Sequence, residues 1–446
     1  MSVIFPQFMA LAARRAGWVV GGLAIALTLN PTAQAADAED LARLLATNEC
    51  RNCDLRDAAL ERAQLQNADL YQADLRGARL QGANLAGANL ERAELQGAQL
   101  TVANLRDANL YQARLDPRRL DPPDGSDIAG DLLVITNLDS ADLRGADLRA
   151  ATLDAATLSQ ADLRGANLAF ASLLSTNLVR ANLADSILAG ARLSSANLTS
   201  ASLSRADARG TQLDSSTLSG AQLDAADLNT ANLRGANLSA AAAIATNFSG
   251  ADLTGANLSR ADLTAAELQR ANLNSVSAHD LNLFQAGGHF STWRGADLRE
   301  ANLSRAKLAI ADLTAANLSG AQLADAYLYS AQLGQSNLSG TDLTRAVLRT
   351  ANLTDASLIG ATLAQADLTR AQLVRADLTY SNLTETDFSG SNLADADLRY
   401  ANLQTVVFEA AYIAGIDLTE ANIQDTDFKG VIRPERSPNF PSVINE

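Results

Sequence analysis

Residues 83–95 read Ala83-Asn84-Leu85-Ala86-Gly87-Ala88-Asn89-Leu90-Glu91-Arg92-Ala93-Glu94-Leu95, and the five-residue beat in them decides the fold. Working outward, Leu occupies every fifth position from Leu55 to Leu115 without a miss, thirteen in all. From Leu138 to Phe428 the beat resumes at 59 successive positions, 48 of them Leu. The two residues before each beat are most often Ala and then Asp or Asn, as in Ala141-Asp142-Leu143 and Ala351-Asn352-Leu353. A period of five matches neither a helix, at about 3.6, nor a strand, at about 2.0. It is therefore the period of a repeat architecture.

Within each pentad, one large apolar residue (position i) and one small residue (i−2) point inward, two apart along extended backbone. The other three positions are solvated. Gly or a polar residue at i+2 suits a turn. No pentad buries its Leu alone, so a core forms only when neighbours stack.

These residues resemble the pentapeptide-repeat family, whose consensus is A-[DN]-L-x-x, over roughly residues 50–430. The resemblance implies an all-β solenoid, a right-handed quadrilateral β-helix with one pentad per face and four per coil. The 72 pentads then make about 18 coils, and at about 4.8 Å per layer a stack roughly 86 Å long. Exposed ends of such a stack invite end-to-end self-association. At the amino end Asp37–Thr47 carries Leu41, Leu44 and Leu45 after an acidic start, which predicts a short capping helix within 36–49. At the carboxyl end, Pro434, Pro438 and Pro441 make 431–446 a tail.

Residues 1–35 read as a signal peptide: Arg14-Arg15, an apolar run from Gly17 to Leu29, and Ala33-Gln34-Ala35 as a small-residue cleavage site. The apolar run is short for a membrane span, which takes about 20 residues. The twin Arg leaves both general and twin-arginine export open. Cleavage after Ala35 leaves 33 basic against 50 acidic residues, a net charge of −17, with Lys307 and Lys429 the only lysines. Such a chain does not bind nucleic acid through phosphates. The expected location is exported, in a periplasm or a thylakoid lumen.

The beat changes phase once. The first repeat block is read as 50–120, a linker or extruded loop as 121–137, and the second block as 138–430. Leu120 keeps the first register, whereas Ile128 and Leu133 already fall in the second. A degenerate stretch, 274–294, holds both His279 and His289, yet Ala278, Leu283, Gly288 and Trp293 stay on the beat. Local core rearrangement with a bulge is expected there.

The search for chemistry is short. His279, Asp280 and His289 suggest a metal site, but ten residues are two faces of a four-sided coil, so one ion could not reach both imidazoles at about 2.0–2.1 Å. Cys50-x-x-Cys53 places both sulfurs inward; packed thiols and a disulfide fastening the helix are both open, and an exported chain favours the disulfide. The entry of helix, CxxC and first pentad is also similar to that of exported cyanobacterial members of the family. No nucleophile–base constellation and no cofactor motif emerges, so no enzymatic activity is expected.

One stripe stands out. Positions 20 apart share a face, and the face of Phe248, Leu328, Phe388, Phe408 and Phe428 also gathers outward apolar residues. These are Phe170, Ile187, Phe290, Ile310, Tyr327, Tyr329, Val347 and Val407. Tyr380 and Tyr400 are read on the next face. Exposed apolar ladders mark interaction surfaces. The expected function is an exported structural rod that binds a protein or envelope partner. The alternative is a DNA mimic that binds a type II topoisomerase, as some members of the family do.

Overall fold

A computed structural model describes residues 35–120 and 132–433. The signal-peptide reading, the centre of the phase break and the proline-rich tail lie outside the described residues.

The repeat becomes structure through one turn. In each pentad the N–H at i+3 donates to the C=O of the beat residue, as Ala58 to Leu55 at 3.1 Å and Ala141 to Leu138 at 3.0 Å. The third residue of that turn, i+2, has positive φ in pentad after pentad: 55° at Asp57, 56° at Ser140, 68° at Gly145. That is the geometry of a type II turn, which favours Gly and Asn at this place. Between turns, the residue at i−1 pairs in parallel with the residue 20 positions on, from Glu49↔Asp69 to Tyr412↔Ile432. Four pentads therefore close one coil. The beat residue donates to the next coil, as Leu85 to Asn104 at 2.7 Å.

The core is a column of Leu with Ala beside it, and nearly every member is fully buried from Leu55 to Leu403. At two places where a larger side chain enters, smaller ones accompany it. Ala243 precedes Phe248, and Ala278 and Gly288 share a coil with Trp293; all five are buried. Volume is roughly conserved in those two stretches, as dense packing favours. Phe388, Phe408 and Phe428 stack on one another at 5.3 and 5.1 Å.

At the amino end lies helix α1, Ala38–Thr47. Asp37 caps it, accepting the N–H groups of Glu39 and Asp40, and Asn48 ends it in left-handed conformation with φ 57°. Leu44 is fully buried and Leu41 packs against the core, while Leu45, one residue round the helix, is 60% exposed. The Asp40 carboxylate accepts the N–H of Asp54, and the N–H of Asp37 donates to the Asp54 C=O. These bonds seat α1 on the first coil.

The phase break is an excursion from a continuous ladder. Gln99 pairs with Asn137, and Arg114 with Thr152, 38 residues apart rather than 20. The extra 18 residues include an antiparallel pair, β1 (Arg118–Leu120) and β2 (Leu132–Val134), with Leu120 opposite Leu132. Residues 117–120, assigned above to the first block, therefore belong to the excursion. Leu120 keeps the register by spacing alone and contributes no rung to the coil ladder. The excursion is tied back to the coils. Arg118 donates to the Asp57 carboxylate at 2.6 Å and to the Arg76 C=O at 3.2 Å. The buried Thr136 hydroxyl accepts the Gly97 N–H at 2.8 Å.

Candidate interaction face

The 20-residue coil sorts outward side chains into columns. On the face headed by Leu148, the ladder runs through Asn167↔Ile187, Glu267↔Gly287, Gly287↔Lys307, Lys307↔Tyr327 and Tyr327↔Val347. It places Phe170, Phe290 and Ile310 at i+2, Ile187, Tyr327, Val347 and Val407 at i−1, and Tyr329 at i+1. Phe170 is 73% exposed, Phe290 52% and Tyr327 41%; Val347 and Val407 are half-buried. Tyr327 and Tyr329 lie nearly parallel, their rings 6.2 Å apart.

Three of these residues sit at left-handed positions: φ is 60° at Phe170, 62° at Phe290 and 59° at Ile310. A bulky or β-branched residue there is strained. The local geometry asks for Gly, Asn or Asp. Two shallow grooves open on this face. One, about 440 Å³, is lined by Asn229, Gln269, Arg270, His289 and Phe290. The other, about 430 Å³, is lined by Tyr327, Tyr329, Val347, Arg349 and Arg370.

Sequence reasoning missed Tyr71 and Tyr111, which stand at i+1 on the same face because Asn109 pairs with Asp147 across the excursion. Arg51 lies 4.6 Å over Tyr71, and Arg149 lies 5.4 Å over Tyr111. The 18 inserted residues shift the column numbering, which hid the correspondence. Tyr380 and Tyr400 do stack, at 4.9 Å. However, they follow Leu378, two pentads from Phe388, and so occupy the opposite face rather than the next one.

Charge is handled within the pentad. Where the repeat reads Asp-Leu-Arg, the Arg folds back on the Asp two residues before it, as Arg144 on Asp142 and Arg164 on Asp162, at 2.5 and 2.6 Å. The same carboxylate accepts the Arg backbone N–H. The Arg hydrogen bond holds the Asp142 and Asp162 carboxyls below their ordinary range, against the opposing effect of burial. Much of the acidic surface is thus neutralised locally.

Cys50 and Cys53 form a disulfide beneath α1, and the Arg43 guanidinium donates to the Cys53 sulfur at 2.8 Å. Asp40 brings an oxygen within 4.8 Å of both sulfurs, the geometry of a three-ligand metal group. Joined sulfurs offer no thiolate to a metal. His279 and His289 follow beats 278 and 288, two pentads apart, and point from opposite faces. The ladder runs through them without a bulge.

The family model described as "Pentapeptide repeats (8 copies)" matches segment after segment, from 49–82 and 83–116 to 371–409. The chain belongs to the pentapeptide-repeat family. The family's fold is a right-handed β-helix-like solenoid. The matches pass over 117–135, the excursion, and 278–288, the degenerate stretch, although the ladder is unbroken through the latter. No curated protein matches this pentapeptide-repeat chain. Among solved structures, it is similar to HetL of the cyanobacterium Nostoc sp. strain PCC 7120, a pentapeptide-repeat protein involved in heterocyst differentiation regulation. Identity is 34%, over 48% of this chain and 90% of that one, with a TM-score of 0.23. A pentapeptide-repeat protein of the Arabidopsis thaliana thylakoid lumen is 30% identical over 23% of this chain and 70% of its own, with a TM-score of 0.15. QnrB1, a plasmid-mediated fluoroquinolone resistance protein, is 14% identical over 48% and 85%, with a TM-score of 0.23. Among the described residues, no helix is long and apolar enough to cross a membrane.

Proposed function

We propose that the mature chain is an exported, non-enzymatic rod of about 18 coils, capped by α1, that presents its Leu148 face to a protein or envelope partner. One observation carries the reading: six exposed large apolar side chains, Phe170, Ile187, Phe290, Ile310, Tyr327 and Tyr329, gather on this face, against four, Val102, Ile359, Tyr380 and Tyr400, on the opposite one, and Phe170, Phe290 and Ile310 stand at left-handed φ. Phe290 stands over Gly288, but beneath the others lie Leu168, Leu188, Leu308 and Leu328, the ordinary buried core residue, so folding alone gives no reason for them. Where a sequence breaks a local rule without structural gain, function is the usual cause.

Export rests on Arg14-Arg15, the apolar run after them and the small residues Ala33 and Ala35. The likeness to a thylakoid-lumen protein supports the same kind of compartment. The Cys50–Cys53 disulfide suits oxidising surroundings. The topoisomerase reading is less well supported. A net −17 over roughly 86 Å is about one charge per 5 Å, against one per about 1.7 Å in DNA. The Asp–Arg pairs also break any run of uniform negative potential.

The test has two parts. The native protein should begin at Ala36 and fractionate outside the cytosol. A photo-crosslinking residue at 170 should then trap a partner that the same residue at 102, on the opposite face, does not. A cytosolic protein beginning at Met1 or Ser2 would return topoisomerase binding to the front. Equal trapping from 170 and 102 would remove the face from the proposal.

A further inference from the structure

The repeat signature lapses on the Leu148 face. On its i−1 column, four successive rungs, Gly287, Lys307, Tyr327 and Val347, hold neither Asp nor Asn. Elsewhere an Asp or Asn at i−1 serves the fold, because its side chain accepts the backbone N–H two residues on. Asn84 takes the N–H of Ala86 at 3.3 Å, and Asp342 that of Thr344 at 2.9 Å. At these four rungs the acceptor is gone. Among the described residues, the N–H groups of His289, Ala309, Tyr329 and Arg349 find no protein acceptor. They stand in a row, one per coil, about 4.8 Å apart. The column of Thr152, Ser172, Arg192 and Gln212 also departs from the signature. There, among the described residues, only the Leu174 N–H is taken, by Asp154 at 2.9 Å; what sets that column apart is that carboxylates already line it, Asp154 and Asp214, the latter accepting the Ser194 hydroxyl.

On the Leu148 face the charges change as well. Most Arg side chains on this chain lie within ion-pair distance of a carboxylate, often the Asp of their own pentad. Among the described residues Arg270, Lys307 and Arg370 find no carboxylate at that distance, and all three are exposed on this face within the same few coils. Arg349 shares Asp367 at 3.6 Å. Between these cations lie Phe290, Ile310, Tyr327 and Val347. A surface that carries open N–H donors, unpaired cations and apolar side chains sits on a chain with a net charge of −15.

We propose that this stretch, from Arg270 to Arg370, is a docking site for an extended acidic peptide segment of a partner protein, whose carboxylates take the N–H groups that Asp or Asn would otherwise occupy. The inference deepens the reading of the Leu148 face as an interaction surface. Charge complementarity selects the occupant: carboxylates meet Arg270, Lys307 and Arg370, and apolar side chains between them meet Phe290 and Tyr327. Five rungs span about 24 Å, the length of roughly seven extended residues.

The experiment uses the full chain and a fluorescein-labelled peptide in which Glu alternates with Leu and Phe, titrated by fluorescence anisotropy. Binding is expected, weakened by added salt and lost by about tenfold or more when Gln replaces Glu. The triple variant Lys307→Asn, Tyr327→Asn, Val347→Asn restores the repeat consensus, so it should keep the melting temperature while losing the peptide. Arg180→Glu, on the opposite face, should change nothing. Undiminished binding by the triple variant, or equal binding of the Gln peptide, would overturn the site. So would absence of peptide binding, including the case where the protein sediments with vesicles of anionic lipid, which would make the patch a lipid contact. If position 170 still traps a partner while the peptide fails, the interaction face stands and only its acidic ligand falls.

Discussion

Trp293 is the one core position where a ring with a polar edge replaces Leu, and its surroundings show how a single residue is accommodated in a repeat. The indole N–H donates to the Ser291 hydroxyl at 2.7 Å, and that hydroxyl donates to the Gly288 C=O at 2.6 Å. Ser291 is itself fully buried. Ser291→Ala would strand the indole N–H in the core, at a cost of about 1–3 kcal/mol. Gly288 supplies the missing volume, since a Cβ there would lie 2.7 Å from the Leu308 Cδ2 atom. Trp293→Leu alone should open a void and Gly288→Leu alone should overpack, each costing about 1–3 kcal/mol. The double variant should cost clearly less than their sum, because it moves volume from 293 to 288 within one coil and leaves only Ala278 departing from the ordinary quartet. Urea melts of the four proteins measure the coupling, and strict additivity would show that the two positions do not share space. The sequence made the phase through this stretch legible, since Ala278, Leu283, Gly288 and Trp293 keep the beat. It did not reveal the hydrogen bonds, because Ser at i−2 of a pentad reads as one more small residue.

The excursion poses the corresponding question for an element. Periodicity states where the ladder stops and resumes, but not whether the second block stacks on the first. Linker and loop both fit Leu115 and Leu138. The ladder answers it: Asn104 pairs with Asp142 as directly as Asn84 pairs with Asn104. The insertion is 18 residues, so removing 117–134 leaves Leu115-Asp116-Ile135-Thr136-Asn137-Leu138, a regular pentad. The shortened chain should fold with an unchanged β-type circular-dichroism spectrum. It loses the Arg118–Asp57 pair, which is partly exposed and so contributes about 0–1 kcal/mol. It also uncovers the Gly97 region against which Arg118 and Val134 pack. A melting temperature lowered by a few degrees is the expected outcome. Loss of the cooperative transition would mean instead that the excursion holds the two blocks in register. The helix at the amino end was more legible, from Asp37 and the acidic turn after it, because a helix start has its own local chemistry. Its seating on Asp54 was not, since that depends on a backbone N–H that no residue type announces.

Along the stack, each rung pairs with the rung before and the rung after, through bridges of i to i±20, or i±38 across the excursion. Stability is then a sum of coil terms and nearest-neighbour terms, and damage should stay where it is made. Uniformity is why the fold could be read from Leu and Asx spacing alone, and also why function could not: a repeat makes each face look equally designed. What marks a site is the lapse, such as Lys307 and Tyr327 standing where Asp or Asn belongs. The same one-dimensional character makes a prediction about unfolding. Leu253 lies in mid-stack and Leu403 near the carboxyl end, and both are fully buried. An Asp at either position puts a charge without a partner into the core, a penalty of about 3–5 kcal/mol. For Leu403→Asp, the coils beyond it should fray, while hydrogen exchange elsewhere stays at the native rate. For Leu253→Asp, the opening must be flanked by intact coils on both sides, so exchange should rise in a band centred on 253 and fall away in each direction. The two blocks so separated should melt in two transitions where the native chain melts in one. Exchange measured peptide by peptide distinguishes this from a globally coupled fold, in which both variants would raise exchange along the whole stack. The first outcome would also mean that a partner bound between Arg270 and Arg370 stabilises the coils it covers and leaves distant ones unchanged.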